Sequence, residues 1–476
     1  MLFNSIEFLL FLPIVFLLYW FVFNKTLRWQ NLFLLISSYF FYGWWSWKFM
    51  LLLALSTFID YIYGFYVASP NKKKAKLFLW LSIINNLGIL ATFKYYNFFV
   101  TQFQNGFELL GLHTNLFLLH IALPVGISFY TFHGLSYVID IYNERLKPER
   151  NFINYSVFVC FFPLLVAGPI ERASHLIPQI VKKRSFDYSK AVDGLRQMLW
   201  GLFKKIVIAD NCAVYVNDVF DHSDLMGGSS LLIGSILFSI QVYCDFSGYT
   251  DIALGTARLF GFELMRNFNF PYLSKSVTEF WRRWHISLSS WLRDYLYISM
   301  GGNRKGKFRT NLNLFLTMLI GGFWHGASWN FIIWGAMHGI GLAINKLWSS
   351  LFGKIKIVPK FITNFVFGII TFHFVCFCWI FFKASNLDTA MQFIHQIVYQ
   401  FTFDGANEYF ENYKYVIIMI AIGYLIHLIP DSFSDSVIEK QKSFPLVYYV
   451  IVMMGFIALY SFFKSAEPVM PIYLQF

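Results

Sequence analysis

Two histidines of this chain sit in surroundings that make their chemistry worth asking about. His325 lies in IGGFWHGASWNF (residues 320–331), within a run from Thr310 to Asn345 that holds no charged residue. His285 lies in TEFWRRWHISLSSWLRDYLYISMGGNRKGKFR (278–309), among tryptophans and arginines. An imidazole kept from water has its charged form disfavoured, so it can serve as a base near neutral pH. Its natural task would be to take a proton from a hydroxyl that attacks an acyl group. Gly321, Gly322 and Gly326 flank His325 and remove bulk, so that a backbone, a substrate or a neighbouring helix can approach.

Other chemistries fit less well. His338, in WGAMHG, is thirteen residues from His325. On one straight helix that spacing separates the two by about 20 Å and turns them different ways. No H-x-x-x-H or H-E-x-x-H is present, so a metal pair is not expected, and His338 reads as a packing or supporting residue. No G-x-S-x-G marks a soluble-hydrolase nucleophile. Cys160, Cys212, Cys244, Cys376 and Cys378 lie in or beside apolar segments without a C-x-x-C pair, and read as small core residues. Spacing alone leaves a plain alternative for each histidine. His325 could be a neutral ring bonded to a carbonyl, and His285 could meet lipid headgroups.

Elements that cross a membrane must position these rings. The chain is 57% hydrophobic and only 13% charged, against about 25% charged in ordinary soluble domains. A spanning helix needs about 20 apolar residues. Candidates are 6–24, 31–47, 49–67, 77–97, 117–142, 192–216, 228–260, 310–324, 326–346, 361–383, 414–431 and 444–463. The first is too long for a signal-peptide core and reads as a retained span. The formal charge of +12 concentrates in short loops such as SPNKKKAK, NERLKPER and GGNRKGKFR, whereas DVFDHSD and FDGANEYFEN are acidic. Segregation of that kind is the positive-inside pattern and removes the case for nucleic acid. It places the N-terminus, 98–115, 217–227 and 384–413 outside. Residues 152–169, interrupted by Pro163, Gly168 and Pro169, read as re-entrant. Asp245 lies within a span and needs a buried partner. No internal repeat of the transporter kind is found.

Residues 278–309 begin with a helix signal, Thr278 as cap, and the helix that follows to about Tyr295 reads as lying at the membrane boundary. At 100° per residue, Trp281, Trp284, His285, Leu288, Trp291, Leu292 and Tyr295 share one arc, with Arg282, Arg283 and Arg293 opposite. That pattern suits tryptophan rings at headgroup depth. Asp294 is expected to pair with Arg282 or Arg283. Arg304, Lys305, Lys307 and Arg309 could receive donor phosphates, or could simply mark the cytoplasmic side.

EFWRRWHISLSSWLRDYLYISMGGNR and GGFWHGASWNFIIWGAMHG together resemble the membrane-bound O-acyltransferases, in their bacterial alginate O-acetyltransferase branch. LPVGISFYTFHGLSYVIDIY (123–142), VAGPIERASHLIPQ (166–179), QVYCDFSGYTDIALG (241–255) and WIFFKASN (379–386) extend the likeness. The resemblance implies one all-α polytopic membrane domain over 1–476, with its motif core at about 120–345 and C-terminal spans at about 361–463. About eleven or twelve transmembrane helices, with re-entrant and interfacial helices, would surround a funnel or tunnel. It implies an O-acyltransferase of the bacterial inner membrane that acetylates a cell-surface or exported polysaccharide, with His325 and His285 catalytic; acyl transfer to peptidoglycan, teichoic acid or lipid is the alternative, and a polymer or precursor transporter the non-enzyme one. It further implies acetyl-CoA as cytoplasmic donor, a periplasmic acyltransferase- or esterase-like partner, and no bound cofactor or metal. Trp281, Arg282, Arg283, Trp284, Asp294, Asn303, Arg304 and Lys305 are the accompanying substrate- or donor-binding candidates. At His133 the chain departs from the family, where glutamine is more usual.

Overall fold

The computed structural model describes residues 1–403, except 167 and 353–358, together with scattered residues between 411 and 472. Among the described residues regular structure is entirely helical. Four helices among the described residues are long and apolar enough to cross a membrane: Trp47–Val67, Lys72–Leu109, Gly228–Leu259 and Lys360–Lys383. Leu9, Phe21, Ile84 and Phe365 are more than half exposed on helix surfaces. Large apolar side chains left facing outward on several helices are what lipid contact requires. The all-α polytopic architecture expected from composition is therefore present. The expected spans 414–431 and 444–463 lie largely outside the described residues.

The helices are broken more often than the apolar runs suggest. The expected span 117–142 is helical only over Ile127–Tyr142, because Pro124 and the left-handed Gly126 (φ 74°) end the preceding stretch. Conversely, 98–115 is not a simple loop, since the helix from Lys72 runs on to Leu109. It passes through a π-helical turn at Ala91–Tyr95. A second π-turn, Phe203–Ala209, joins Tyr188–Leu202 to Asp210–Asp221. It brings Lys205 to Asp210 and Asp245, and Lys204 to Asp251, all inside the helix bundle. The buried partner expected for Asp245 is thus Lys205.

The apolar stretch 152–169, expected to be re-entrant, is broken into short helices rather than forming one continuous span. Asn151 caps the helix Phe152–Cys160 by accepting from the Ile153 N–H at 2.9 Å. The chain turns at Phe161, whose freed neighbour Phe162 donates its N–H to Ser38 Oγ at 3.2 Å. It then returns through Ala173–Ile180. Buried glycines bring the two helices that bracket His325 together. A Cβ on Gly322 would meet the Phe331 carbonyl oxygen at 2.3 Å, and one on Gly335 the Met318 oxygen at 2.4 Å. Only hydrogen fits between Gly306–His325 and Trp329–Phe352.

Candidate active site

His325 is the last residue of the Gly306–His325 helix, and Gly326 leaves the helical conformation immediately after it. His338 lies on the following helix, Trp329–Phe352. His285 sits at a sharp corner. The amphipathic helix expected over residues 278–295 is instead two short ones, Val277–Arg283 and Ile286–Trp291, continued by a π-turn to Tyr297. Between them His285 adopts the left-handed region at φ 43°. For a residue with a Cβ this conformation is disfavoured and needs holding in place. Asn267 holds it from both ends: its carbonyl oxygen accepts from the Ile286 N–H at 2.9 Å, and its side chain meets the His285 ring.

That contact assigns the His285 proton. Asn267 Oδ1 accepts from the Ser287 N–H at 3.3 Å and from the Ser287 hydroxyl at 2.9 Å. A backbone N–H can only donate, so the amide atom facing this group is oxygen. His285 Nδ1 lies 3.0 Å from the same oxygen and must donate to it. Nε2 is then the nitrogen with the lone pair. At His338 the logic runs the other way. The Trp281 indole N–H donates to Nδ1 at 3.2 Å, so this ring carries its proton on Nε2.

The three rings converge through tryptophans. Trp324 has its ring centre 6.5 Å from that of His285 and 4.9 Å from that of His325. Trp334 lies 5.1 Å from His325 and 4.8 Å from His338. His285 and His338 are sealed completely, whereas His325 retains 6% exposure. His325 lines a cavity of about 60 Å³ with Lys94, Pro124, Gly126, Ser128 and Trp324. By volume this is room for a few waters or an acetyl group rather than a sugar. A larger cavity of about 490 Å³, lined by Tyr42, Trp44 and Trp45, shares Val125 and Val166 with it. Its size is within the ordinary range for ligand pockets.

The remaining sequence candidates divide. Trp281 and Trp284 are buried in the aromatic core, not spread at headgroup depth; Trp284 packs between Phe280 and Trp379. The broken helix accounts for the difference, since it turns both rings inward. Ser276, not Thr278, caps Val277–Arg283, accepting from the Glu279 N–H at 3.1 Å. Thr278 instead donates to Asn345 Oδ1 at 2.6 Å. Arg282 is exposed, and Arg283 pairs with Glu279 at 2.7 Å. Asp294 pairs with Arg172 at 2.6 Å and with its neighbour Arg293 at 2.7 Å, instead of with Arg282 or Arg283. Burial opposes its ionisation, but the two guanidiniums prevail and hold its carboxyl below the usual range. Asn303 accepts from the Tyr297 hydroxyl. Arg304 and Lys305 are exposed at the start of the 20-residue helix that ends in His325, about 30 Å away at 1.5 Å per residue. His133 is buried against Phe158, at 5.3 Å between ring centres. Among the described residues no cluster of histidine, cysteine and carboxylate side chains could hold a metal ion.

Two residues with a place in this site escaped the sequence reading. Asn267 carries no local signal. Lys94 does carry one, being the sole charge between Lys76 and Glu108. A cation at the centre of a span costs about 2.5–3.5 kcal/mol on insertion scales, and here it reaches the His325 carbonyl at 2.8 Å. Among the described residues, Lys94, His285 and His338 lie near enough to act on the His325 ring electrostatically.

Buried imidazoles, one of them on a residue that lines a small cavity walled by Lys94, Ser128 and mostly apolar side chains, can move a proton to and from a reacting hydroxyl. The family model for MBOAT, the membrane-bound O-acyltransferase family, matches residues 39–387. The chain belongs to this family, and it is a multi-pass membrane O-acyltransferase. It is 43% identical over 393 residues to the probable alginate O-acetylase AlgI of Pseudomonas aeruginosa, covering 82% of this chain and 73% of that protein. It is 37% identical over 430 residues to the peptidoglycan O-acetyltransferase of Helicobacter pylori, covering 84% and 80%. With the teichoic acid D-alanyltransferase of Bacillus subtilis it shares 30% identity over 276 residues, covering 55% and 69%.

Proposed function

We propose that this protein transfers acetyl groups from cytoplasmic acetyl-CoA toward an exported polysaccharide, working in the bacterial inner membrane with a periplasmic acyltransferase-like partner. His325 is the base facing the reacting hydroxyl, and His285, held in one tautomer by Asn267, supports it. The observation that carries this reading is the approach of both His285 and His325 to the one Trp324 ring, at 6.5 and 4.9 Å between ring centres, with His325 at the wall of the small cavity. The extended likeness to alginate O-acetylases supports acetyl as the group moved. In the reaction, His325 takes the hydroxyl proton as oxygen attacks the acetyl carbonyl carbon. The intermediate then collapses, the C–S bond breaks, and the proton leaves with the thiolate. The two rings act as a unit, so each affects the ionisation of the other. Purified protein in liposomes with labelled acetyl-CoA tests the donor. Acetyl-CoA consumption that requires His325 supports the reading; consumption unchanged by His325→Ala, or none at all, counts against it.

A second acceptor is favoured by one observation, the likeness to a peptidoglycan O-acetyltransferase over 84% of the chain. Mass analysis of wall and exported polymers from a deletion strain separates the two, because only the true acceptor loses its acetyl esters.

A further inference from the structure

Lys94 stands in the middle of the Lys72–Leu109 helix, where the π-turn at Ala91–Tyr95 offsets it from the regular helical register. Its ammonium donates to the carbonyl oxygen of His325 at 2.8 Å and lies 5.9 Å from the centre of the Trp324 ring. Neighbouring Tyr95 donates its hydroxyl to the Phe323 carbonyl at 3.1 Å, fixing the turn against the same helix end. Among the described residues no carboxylate pairs with Lys94. An ammonium has three donors, and one carbonyl and one indole face are modest company for a cation inside a membrane protein. Capping a helix end requires only a neutral donor. A full charge there is better matched to an anion that forms in the cavity which Lys94 and His325 both line.

The geometry points to Lys94 as the group that stabilises the oxyanion of acyl transfer. This rests on the reading of acyl transfer at His325 given above. When the acceptor oxygen bonds to the acetyl carbon, the carbonyl π-pair moves onto oxygen. Lys94 donates a hydrogen bond to that oxygen and keeps its own proton. The pair returns as the C–S bond breaks, and the thiolate leaves with the proton held by His325. Lys94 thereby lowers the barrier without being consumed. Its nitrogen is already held in place by the His325 carbonyl before the substrate enters, and such preorganisation is what makes a donor of this kind effective.

The test uses the full-length protein in liposomes and chemical replacement of the side chain. Lys94→Met is expected to lower kcat about 10²-fold, the usual loss for one oxyanion donor, with KM for the acetyl donor changed less than about twofold. Lys94→Cys is expected to behave alike. Alkylating it with 2-bromoethylamine restores an ammonium at the reach of lysine, and iodoacetamide installs a neutral amide donor at the same reach. Recovery with the ammonium and none with the amide is the predicted result, with wild-type protein treated in parallel as control. Equal recovery with both would reduce Lys94 to a helix cap, and a Lys94→Met variant that retains kcat would overturn the proposal outright. Wild type and His325→Ala report separately on acyl transfer itself. If those two behave as proposed while the Lys94 series does not, only this inference fails.

Discussion

The side-chain oxygen of Asn267 lies 3.0 Å from Nδ1 of His285 and fixes which nitrogen of that ring is basic. Asn267→Ala removes the acceptor for His285 and for Ser287 together. The ring can then adopt the other tautomer, and the left-handed corner at His285 loses a restraint. Acetyl transfer is expected to fall by part of the roughly 10²–10⁴-fold that a positioned acid or base contributes. Asn267→Asp retains an acceptor and is expected to keep more activity than Ala. Steady-state kinetics on variants with matched melting temperatures check this; equal rates for Ala and wild type contradict it.

Close helix contact behind His325 gives a prediction about stability. Gly322→Ala places a Cβ 2.3 Å from the Phe331 carbonyl oxygen, and backbone cannot yield as a flexible side chain does. Overpacking of this kind costs about 1–3 kcal/mol. Thermal unfolding in detergent should show a lower midpoint, with activity reduced because the displaced helix carries His325. Gly88→Ala, where a Cβ meets nothing within 4 Å, serves as the control and should unfold at the wild-type temperature.

A buried ion cluster gives a second. Lys205 is fully buried and pairs with Asp210 at 2.7 Å and with Asp245. Lys205→Met leaves two carboxylates facing each other without the cation, a loss of about 3–5 kcal/mol. Adding Asp245→Asn should recover part of that loss, because one of the two orphaned charges is removed. Denaturation midpoints of the single and double variants decide the matter. A double variant less stable than Lys205→Met would contradict the pairing.

The short helix Ala173–Ile180 carries a pH-dependent contact at its start. His175 Nδ1 lies 2.7 Å from the buried Glu171 carboxylate, whose hydrogen bond raises the histidine pKa. A raised pKa in the fold means that the folded state binds the proton more tightly than the unfolded chain does. The contribution is therefore fully present below the ordinary histidine value of about 6.5 and disappears as pH rises through the higher folded value. His175→Ala should lower the melting temperature more at pH 5.5 than at pH 8.5. The side chain is 44% exposed, so solvent screens the effect and it should be modest.

Much of this site was legible in the sequence, for identifiable reasons. His325 stands out because an imidazole in 36 uncharged residues is costly unless it has work or partners. Proline and glycine mark the break in the apolar stretch 152–169 through local backbone chemistry. The helix break at His285 was not legible, since a 100° step gives a continuous arc across it. The break depends on Asn267, eighteen residues earlier, and no periodicity reports such a contact. Asp294 illustrates the same limit. The arginine that pairs with it, Arg172, lies 122 positions away in the chain. Lys94 was readable as a solitary charge in an apolar helix, but its partner became evident only when the π-turn met the end of the His325 helix.

The most direct measurement is ester-linked acetate on exported and wall polymers from a deletion strain, complemented with wild type or His325→Ala at equal membrane abundance. The account predicts acetylation restored by wild type and absent with His325→Ala. Full acetylation from a strain whose only copy lacks the His325 imidazole would contradict it.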